Sequence, residues 1–212
     1  MIVFEDTVSD PAIVQLLLSE CSPDGLQRLL DCEVGDMQLA ALVCLGLRGT
    51  MRHCKVVADF LQHSDERFVQ AAEEALWMIW MRAGTPTGNK LLESAVERIR
   101  RDAYGEALGL LDCLATREPE FAELYHQRGI ALSMLDRYDE AGEAFRQVLR
   151  LNPYHYSAAL NLGHTCVHAK DLRGALRYYR QALRMHPRLP EIPGAVERLE
   201  AVVGNGNGKN GV

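Results

Sequence analysis

The sequence lacks a hydrophobic run long enough to cross a membrane. Its longest apolar run extends from Leu39 to Leu47, whereas a membrane-spanning helix needs about 20 apolar residues. The first residues, Met1 to Asp6, carry no positive charge and so do not resemble the basic start of a secretory signal. We therefore predict neither secretion nor membrane insertion, and we expect a cytoplasmic protein.

Cysteine pairs at metal-binding or redox spacing are also lacking. The six cysteines include no C-x-x-C pair, and they fall on predicted helices or at helix ends. Thiols of this kind stay unpaired in a reducing compartment. We therefore predict reduced, buried cysteines and no disulfide framework.

No catalytic motif stands out in the sequence. H-E-x-x-H, G-x-S-x-G and a glycine-rich nucleotide loop are all missing. His164 and His168 lie four residues apart and share a helical face, but two ligands are too few for a zinc site. We predict a protein that is not an enzyme, with no catalytic, cofactor-binding or metal-binding residues.

An excess of basic residues, the mark of nucleic-acid binding, is missing from the N-terminal part. Residues 1–84 carry 6 Lys and Arg against 13 Asp and Glu, whereas residues 85–203 carry 16 of each sign. Because phosphate binding requires a cationic surface, we predict no nucleic-acid partner and no membrane partner. Five arginines recur along one predicted helix face: Arg173, Arg177, Arg180, Arg184 and Arg188. A solvated outer face accounts for this strip, and docking of an acidic partner is the alternative.

A repeat of 34 residues organises the C-terminal part. Pro119, Pro153 and Pro187 are spaced by this period. Similar residues recur at the same 34-residue spacing in three further series: Ala95, Gly129 and Gly163; Ala107, Ala141 and Ala175; Tyr104, Tyr138 and Leu172. Such a period predicts helical hairpins that bury their apolar faces by stacking on their neighbours.

The residues at these positions resemble the tetratricopeptide repeat. In that family the first small residue lets the two helices of a hairpin approach closely, and an aromatic residue or Leu fills the gap, here Leu111, Phe145 and Tyr179. The resemblance implies three units, at about 88–121, 122–155 and 156–189. A cap helix near 191–203 would complete a domain over residues 85–203.

Residues 1–84 are similar, more loosely, to HEAT-like helical repeats. Asp36 to Gly46 and Asp65 to Ile79 resemble inner helices, each opening with an Asp that can cap a helix start. Met51 to Gln62 has apolar positions at helical spacing and is predicted to be an outer helix. Together the two resemblances imply an all-α fold, a right-handed α-solenoid of stacked antiparallel helix pairs.

The segment 84–88 is the predicted boundary between the two halves, because glycine, threonine and proline there favour a helix end and a new start. Trp77, Trp80 and Met81, just before it, share a helical face. That face either packs on Leu91, Leu92 and Ala95 or is an exposed anchor for another protein. Residues 204–212, rich in Gly and Asn, are predicted to be a disordered tail.

By resemblance to tetratricopeptide proteins, the inner helix of each unit lines a concave groove. The positions facing it are Leu92, Val96, Glu123, His126, Gln127, Ile130, Met134, Ser157, Leu160, Asn161, His164 and His168. Family members that bind the carboxylate tails of heat-shock chaperones use Lys, Arg and Asn there. Asn161 occupies such a slot, but Leu92, Glu123 and Ser157 replace the expected cations, so this chain is predicted not to bind that ligand.

The resemblance implies a non-catalytic adaptor or scaffold that binds a peptide or partner helix in the groove. His126, His164 and His168 could donate hydrogen bonds to that partner, or each could be an ordinary surface or inter-repeat histidine. The alternative function is a self-assembling structural protein, a homo-oligomer that pairs through the Trp77 and Trp80 face or the Arg173–Arg188 strip.

Overall fold

Every regular element in residues 11–207, the part described by the computed structural model, is helical. The all-α prediction is confirmed for this part of the chain. Contacts between Cα atoms divide the chain into two compact units, Met1–Ala83 and Gly84–Val212. None of the helices in residues 11–207 is both long and apolar enough to cross a bilayer.

The described part of the N-terminal unit, residues 11–83, contains five α-helices: α1 (Pro11–Glu20), α2 (Pro23–Leu29), α3 (Gly35–Arg48), α4 (Cys54–Asp59) and α5 (Glu66–Met81). Its core lies between α3 and α5, where Gly46 of α3 approaches Ala75 so closely that an added Cβ would lie 2.9 Å from the Ala75 Cα. Leu39 to Gly46 are all buried. The HEAT-like character of this unit stays a prediction.

One local prediction for this unit needs correction. The segment predicted as an outer helix, Met51 to Gln62, is helical throughout, with 3-10 turns at Met51–His53 and Phe60–Gln62 on either side of the short α4. Asp36 does not cap α3, which begins at Gly35 after Val34. Asp65 does cap α5, since its carboxylate accepts a hydrogen bond from the Arg67 backbone N–H at 2.9 Å.

The described part of the C-terminal unit, residues 84–207, consists of three helix pairs and a last helix. The pairs are α6 (Pro86–Arg100) with α7 (Tyr104–Arg117), α8 (Ala122–Met134) with α9 (Tyr138–Leu151), and α10 (Tyr156–His168) with α11 (Leu172–Met185). The last helix is α12 (Ile192–Asn207). The turn inside each pair repeats its backbone conformation, because Asp102, Asp136 and Lys170 all have φ of 57–58°. The Tyr104 and Tyr138 hydroxyls donate to Asp102 and Asp136, two residues earlier.

The predicted small residues lie where the two helices of a pair come closest. A Cβ on Gly129 would lie 2.5 Å from the ring of Phe145, and one on Gly163 would lie 2.4 Å from the ring of Tyr179. Both rings are buried. Glycine is therefore required at these two positions by the neighbouring aromatic side chain, which fills the space that a methyl group would occupy.

The last helix covers the end of the stack. Ile192 is buried, and Val196 and Leu199 pack on the cluster that contains Tyr179, Ala182 and Leu189. Helix α12 continues to Asn207, so the prediction of a disordered tail is wrong for residues 204–207. Residues 208–212 of that predicted tail lie outside the described part.

The predicted tryptophan face is not intact. Trp80 and Met81 are buried, whereas 40% of the Trp77 surface is exposed. A self-assembly surface built from Trp77 and Trp80 together is therefore not available on this chain.

All six cysteines are free thiols, as predicted. Cys44, Cys54 and Cys166 are buried. Cys113 lies exposed on α7, so its predicted burial is wrong. Its side chain is on the outer helix of a pair, where the sequence pattern alone did not separate the exposed face from the buried one.

Candidate functional site

A pocket of about 310 Å³ opens between α8, the start of α9 and α10. Its floor is apolar and its rim carries neutral polar groups. The lining residues are Ile130, Ser133, Met134, Tyr138, Phe145, Asn161, His164, Thr165 and His168. None of them is Lys, Arg, Asp or Glu, so the pocket has no permanently charged side chain to hold an ionic group.

Five of the predicted groove residues meet in this pocket: Ile130, Met134, Asn161, His164 and His168. They come from two neighbouring inner helices, α8 and α10, because positions spaced by three or four residues share a helical face. Met134 is 57% exposed at the rim. The juxtaposition predicted from the repeat is therefore present, while binding of a partner by these residues stays a prediction.

Four lining residues were missed by sequence reasoning. Tyr138 and Phe145 lie on the outer helix α9, whereas the groove was placed on inner helices alone, and Ser133 and Thr165 are further positions of the inner helices α8 and α10. Tyr138 begins the outer helix α9 and stacks on His168, with ring centroids 4.1 Å apart and planes 7° from parallel. Phe145 was assigned to filling the gap beside Gly129, yet its ring also forms the pocket floor. The hydroxyls of Ser133 and Thr165 donate to the backbone carbonyls of Gly129 and Asn161, respectively.

His164 stands edge-on to Tyr179 at 5.4 Å between ring centroids. Partial burial lowers the pKa of His164, and the nearby His168 lowers it further. The pocket rim therefore presents a neutral imidazole at neutral pH, which can accept or donate one hydrogen bond.

Next to the pocket, a buried network joins α8 to the start of α10. Glu123 is 1% exposed, and its Oε1 accepts hydrogen bonds from His126 Nδ1 at 3.0 Å and Gln127 Nε2 at 2.7 Å. Its Oε2 lies 3.0 Å from Nε2 of the fully buried His155. His126 in turn reaches the pocket residue Asn161, whose Nδ2 is 3.2 Å from His126 Nε2.

Protonation in this network is set by opposing effects. Burial acts to raise the pKa of Glu123, but the electrostatic effects and hydrogen bonds of His126 and His155 outweigh burial and hold that pKa well below its usual range. Burial, together with the nearby His126, lowers the pKa of His155 to about 4 against the opposing effect of Glu123. The carboxylate is therefore ionised and His155 is neutral at neutral pH.

Ligand atoms of Glu123, His126 and His155 lie within 4.8 Å of one another, the one such grouping in the described part of the chain that could hold a metal ion. The backbone N–H of Ala158 donates to His155 Nδ1 at 3.2 Å. The proton of the neutral ring is therefore on Nε2, the atom that a metal would need. The geometry favours a hydrogen-bond network over a metal site, and His155 was missed as its member.

The other predicted groove residues are supporting positions. Leu92 and Glu123 are buried, so we do not propose that they contact a partner. Gln127 is 8% exposed, and the Ser157 hydroxyl lies within hydrogen-bonding distance of both His126 and His155. Val96 and Leu160 are half-buried on α6 and α10.

The predicted arginine strip lies outside the pocket and is partly engaged within the chain. Helix α11 ends at Met185, so Arg188 follows the helix and does not share its face. Arg180 forms an ion pair with Glu200 at 2.6 Å, and Arg177 lies over the ring of Tyr178. Arg173, Arg184 and Arg188 are exposed. These contacts favour a solvated outer face, as the first of the two interpretations proposes.

Residues 126–190 match the family model described as Tetratricopeptide repeat. No curated protein matches the chain.

Solved structures share the fold at low sequence identity. The first TPR of Spaghetti (RPAP3) bound to HSP90 peptide SRMEEVD is 17% identical, with a TM-score of 0.55 over 57% of this chain and 96% of that one. The Sgt2 TPR domain from Aspergillus fumigatus is 19% identical, with a TM-score of 0.54 over 61% and 87%. The MamA protein is 16% identical, with a TM-score of 0.53 over 72% and 84%.

Proposed function

We propose that this tetratricopeptide-repeat chain is a non-catalytic adaptor that binds a peptide segment of another protein in the concave groove of its C-terminal unit. The observation that carries the proposal is the pocket between α8 and α10. It combines an apolar floor with neutral hydrogen-bonding groups, and its volume suits one large side chain of a bound segment.

The chemistry of the pocket favours an apolar anchor over an acidic tail. Ile130, Met134 and Phe145 offer apolar surface, and no Lys or Arg lines the pocket to pair with a carboxylate. One protein of similar fold, RPAP3, was solved with the bound peptide SRMEEVD. That complex supports peptide binding by this fold, while Leu92, Glu123 and Ser157 argue that the peptide recognised here has a different charge.

Absence of catalysis is part of the proposal and rests on the groups at the pocket. Its two hydroxyls, on Ser133 and Thr165, are each engaged with a backbone carbonyl of their own helix. Neither hydroxyl is paired with a histidine or carboxylate that could remove its proton. A nucleophile without such a base remains weak near its ordinary pKa.

The test is capture of partners by the full chain, with mass-spectrometric identification, followed by calorimetry with each purified partner. We compare the wild type with an Ile130→Glu, His164→Glu double variant, which places two carboxylates in the pocket. Specific partners are expected to be lost from this variant, because burying an unpaired charge costs several kcal/mol.

A matched control carries the same two added carboxylates on the outer helix α7, as Gly109→Glu with Cys113→Glu. Both positions are exposed, and nothing lies within 4 Å of a Cβ on Gly109. The control should retain the partners. If the pocket variant keeps them while both variants give wild-type circular dichroism, the assignment of binding to this pocket is wrong.

A further inference from the structure

The amide of Asn161 is held at the pocket by a chain of hydrogen bonds with a defined direction. The first link is the Ala158 backbone N–H, which can only donate, so His155 Nδ1 must accept. The remaining His155 proton lies on Nε2 and donates to Glu123 Oε2. Each link of the chain thus determines the direction of the next.

The second histidine continues the same order. Glu123, as an ionised carboxylate, only accepts, so His126 carries its proton on Nδ1 and donates to Oε1. In the neutral ring the opposite nitrogen, Nε2, is an acceptor. Asn161 meets it with Nδ2, its donor atom, at 3.2 Å. Ser157 has two acceptor nitrogens within reach, at 3.2 Å on His155 and 3.5 Å on His126.

We propose that Glu123, His126 and His155 are positioning residues that hold the Asn161 amide with its nitrogen toward His126 and its oxygen available to a ligand. The inference rests on the proposed function of the pocket. It adds which end of the Asn161 amide, the oxygen, faces the ligand. Oδ1 of Asn161 makes no hydrogen bond within the described part of the chain, and the residue lines the pocket.

The polarity defines the class of ligand. An oxygen acceptor beside an apolar floor selects a segment that donates an N–H at this point, such as a backbone amide next to a large apolar side chain. A ligand carboxylate would meet the Asn161 oxygen without a proton between them. An unpaired polar group of that kind weakens binding, so the network discriminates against carboxylates as well as favouring amides.

The first test needs no ligand. Nuclear magnetic resonance of the full chain, with ¹⁵N-labelled histidine at pH 7.5, distinguishes protonated from unprotonated ring nitrogens. We expect the proton of His126 on Nδ1 and that of His155 on Nε2, with assignments from His126→Gln and His155→Asn. A proton on His126 Nε2 would overturn the inference and leave the proposed pocket untouched.

The second test uses three small probes with one side chain: N-acetyl-phenylalanine N-methylamide, the corresponding methyl ester, and N-acetyl-phenylalanine with a free carboxylate. The methylamide has an N–H where the ester has an oxygen. Wild-type protein should bind the methylamide about three- to tenfold more tightly than the ester, the effect of one neutral hydrogen bond. The carboxylate should bind most weakly.

The variant for this test is Glu123→Gln, whose amide can donate to His126 Nδ1 and so allow the other tautomer and a reversed Asn161. The two probes should then bind this variant with about equal affinity. The control, Glu120→Gln, removes an exposed carboxylate nearby and should keep the wild-type preference for the methylamide. An unchanged preference in folded Glu123→Gln contradicts the positioning role alone. Failure of all three probes to shift pocket resonances of the wild type contradicts the pocket assignment itself.

Discussion

Glu123 does not lie on the groove surface, where its position in the repeat predicts it. The sequence places it on the groove wall, where it takes the slot of a ligand-binding cation. In the structure it is buried, and three N–H groups from His126, Gln127 and His155 donate to its carboxylate. Because His155 lies 32 residues away in the next hairpin, its contact with Glu123 depends on how neighbouring hairpins stack.

Protonation of His155 should make the stability of the protein depend on pH. Its folded-state pKa of about 4 lies below the ordinary value of 6.5, so the folded state disfavours the charged ring. Stability should be complete above about pH 6.5 and fall as the pH decreases toward 4, by on the order of 3 kcal/mol. The lowered pKa of Glu123 acts in the same direction below its ordinary value of 4.5. Urea unfolding followed by circular dichroism between pH 7.5 and 4.5 measures this change.

His155→Asn separates this effect from other titrations, since Asn can still cap α10 through the Ala158 N–H. The variant should be less stable at pH 7.5 but should lose roughly 2 kcal/mol less than wild type on acidification to pH 4.5. His168→Asn, an exposed control, should keep the wild-type slope. Parallel curves for wild type and His155→Asn would show that His155 does not carry the pH dependence.

Helix pairing was the part of the fold that the sequence predicted best. Pro119, Pro153 and Pro187 follow the three outer helices at a constant interval, and Gly129 and Gly163 lie at close approaches to aromatic rings. These features are local to one hairpin, so they repeat in the sequence, and the tetratricopeptide prediction is confirmed over residues 126–190.

Features that depend on contact between hairpins were not predicted. Tyr138 belongs to an outer helix, yet its ring stacks on His168 of the next hairpin. That contact depends on the packing of neighbouring hairpins, which the residues close to Tyr138 in the sequence do not indicate.

The close approach of the paired helices gives a second prediction, for Gly129→Ala and Gly163→Ala. The new Cβ would lie 2.5 Å from Phe145 or 2.4 Å from Tyr179, so the ring must move. Overpacking costs about 1–3 kcal/mol, and the better helix propensity of Ala returns up to about 1 kcal/mol. Each variant should therefore lose roughly 1–2 kcal/mol in urea unfolding. Gly129→Ala should also disturb the pocket, because Phe145 forms part of it.

Gly109→Ala is the matched control, at an exposed position inside α7 where nothing lies within 4 Å of the added methyl group. It should gain about 0.5–1 kcal/mol, since only the helix propensity changes. If Gly129→Ala and Gly163→Ala were also stabilised, the aromatic contact would not be what requires glycine.

Stacked hairpins bury their faces against neighbours, so a stack needs a final element whose outer side is polar. Helix α12 has this role in the C-terminal unit. Ile192, Val196 and Leu199 cover the apolar surface of α11, and Glu200 pairs with Arg180 on the same side. Without α12, Tyr179 and Leu189 would lose part of the surface that covers them.

Removing α12 should therefore destabilise the protein and make it associate. A chain ending at Pro190 lacks the whole of α12. The lost burial of Ile192 by itself costs about 2 kcal/mol, and an apolar patch on α11 becomes exposed. Its urea midpoint should fall, and sedimentation velocity should show species that grow with concentration. A chain ending at Asn207 retains α12 and serves as the control, with an unchanged midpoint and sedimentation coefficient. If the two truncated chains were equally stable and equally monomeric, α12 would not be the cap of this stack, and the apolar face of α11 would need no cover.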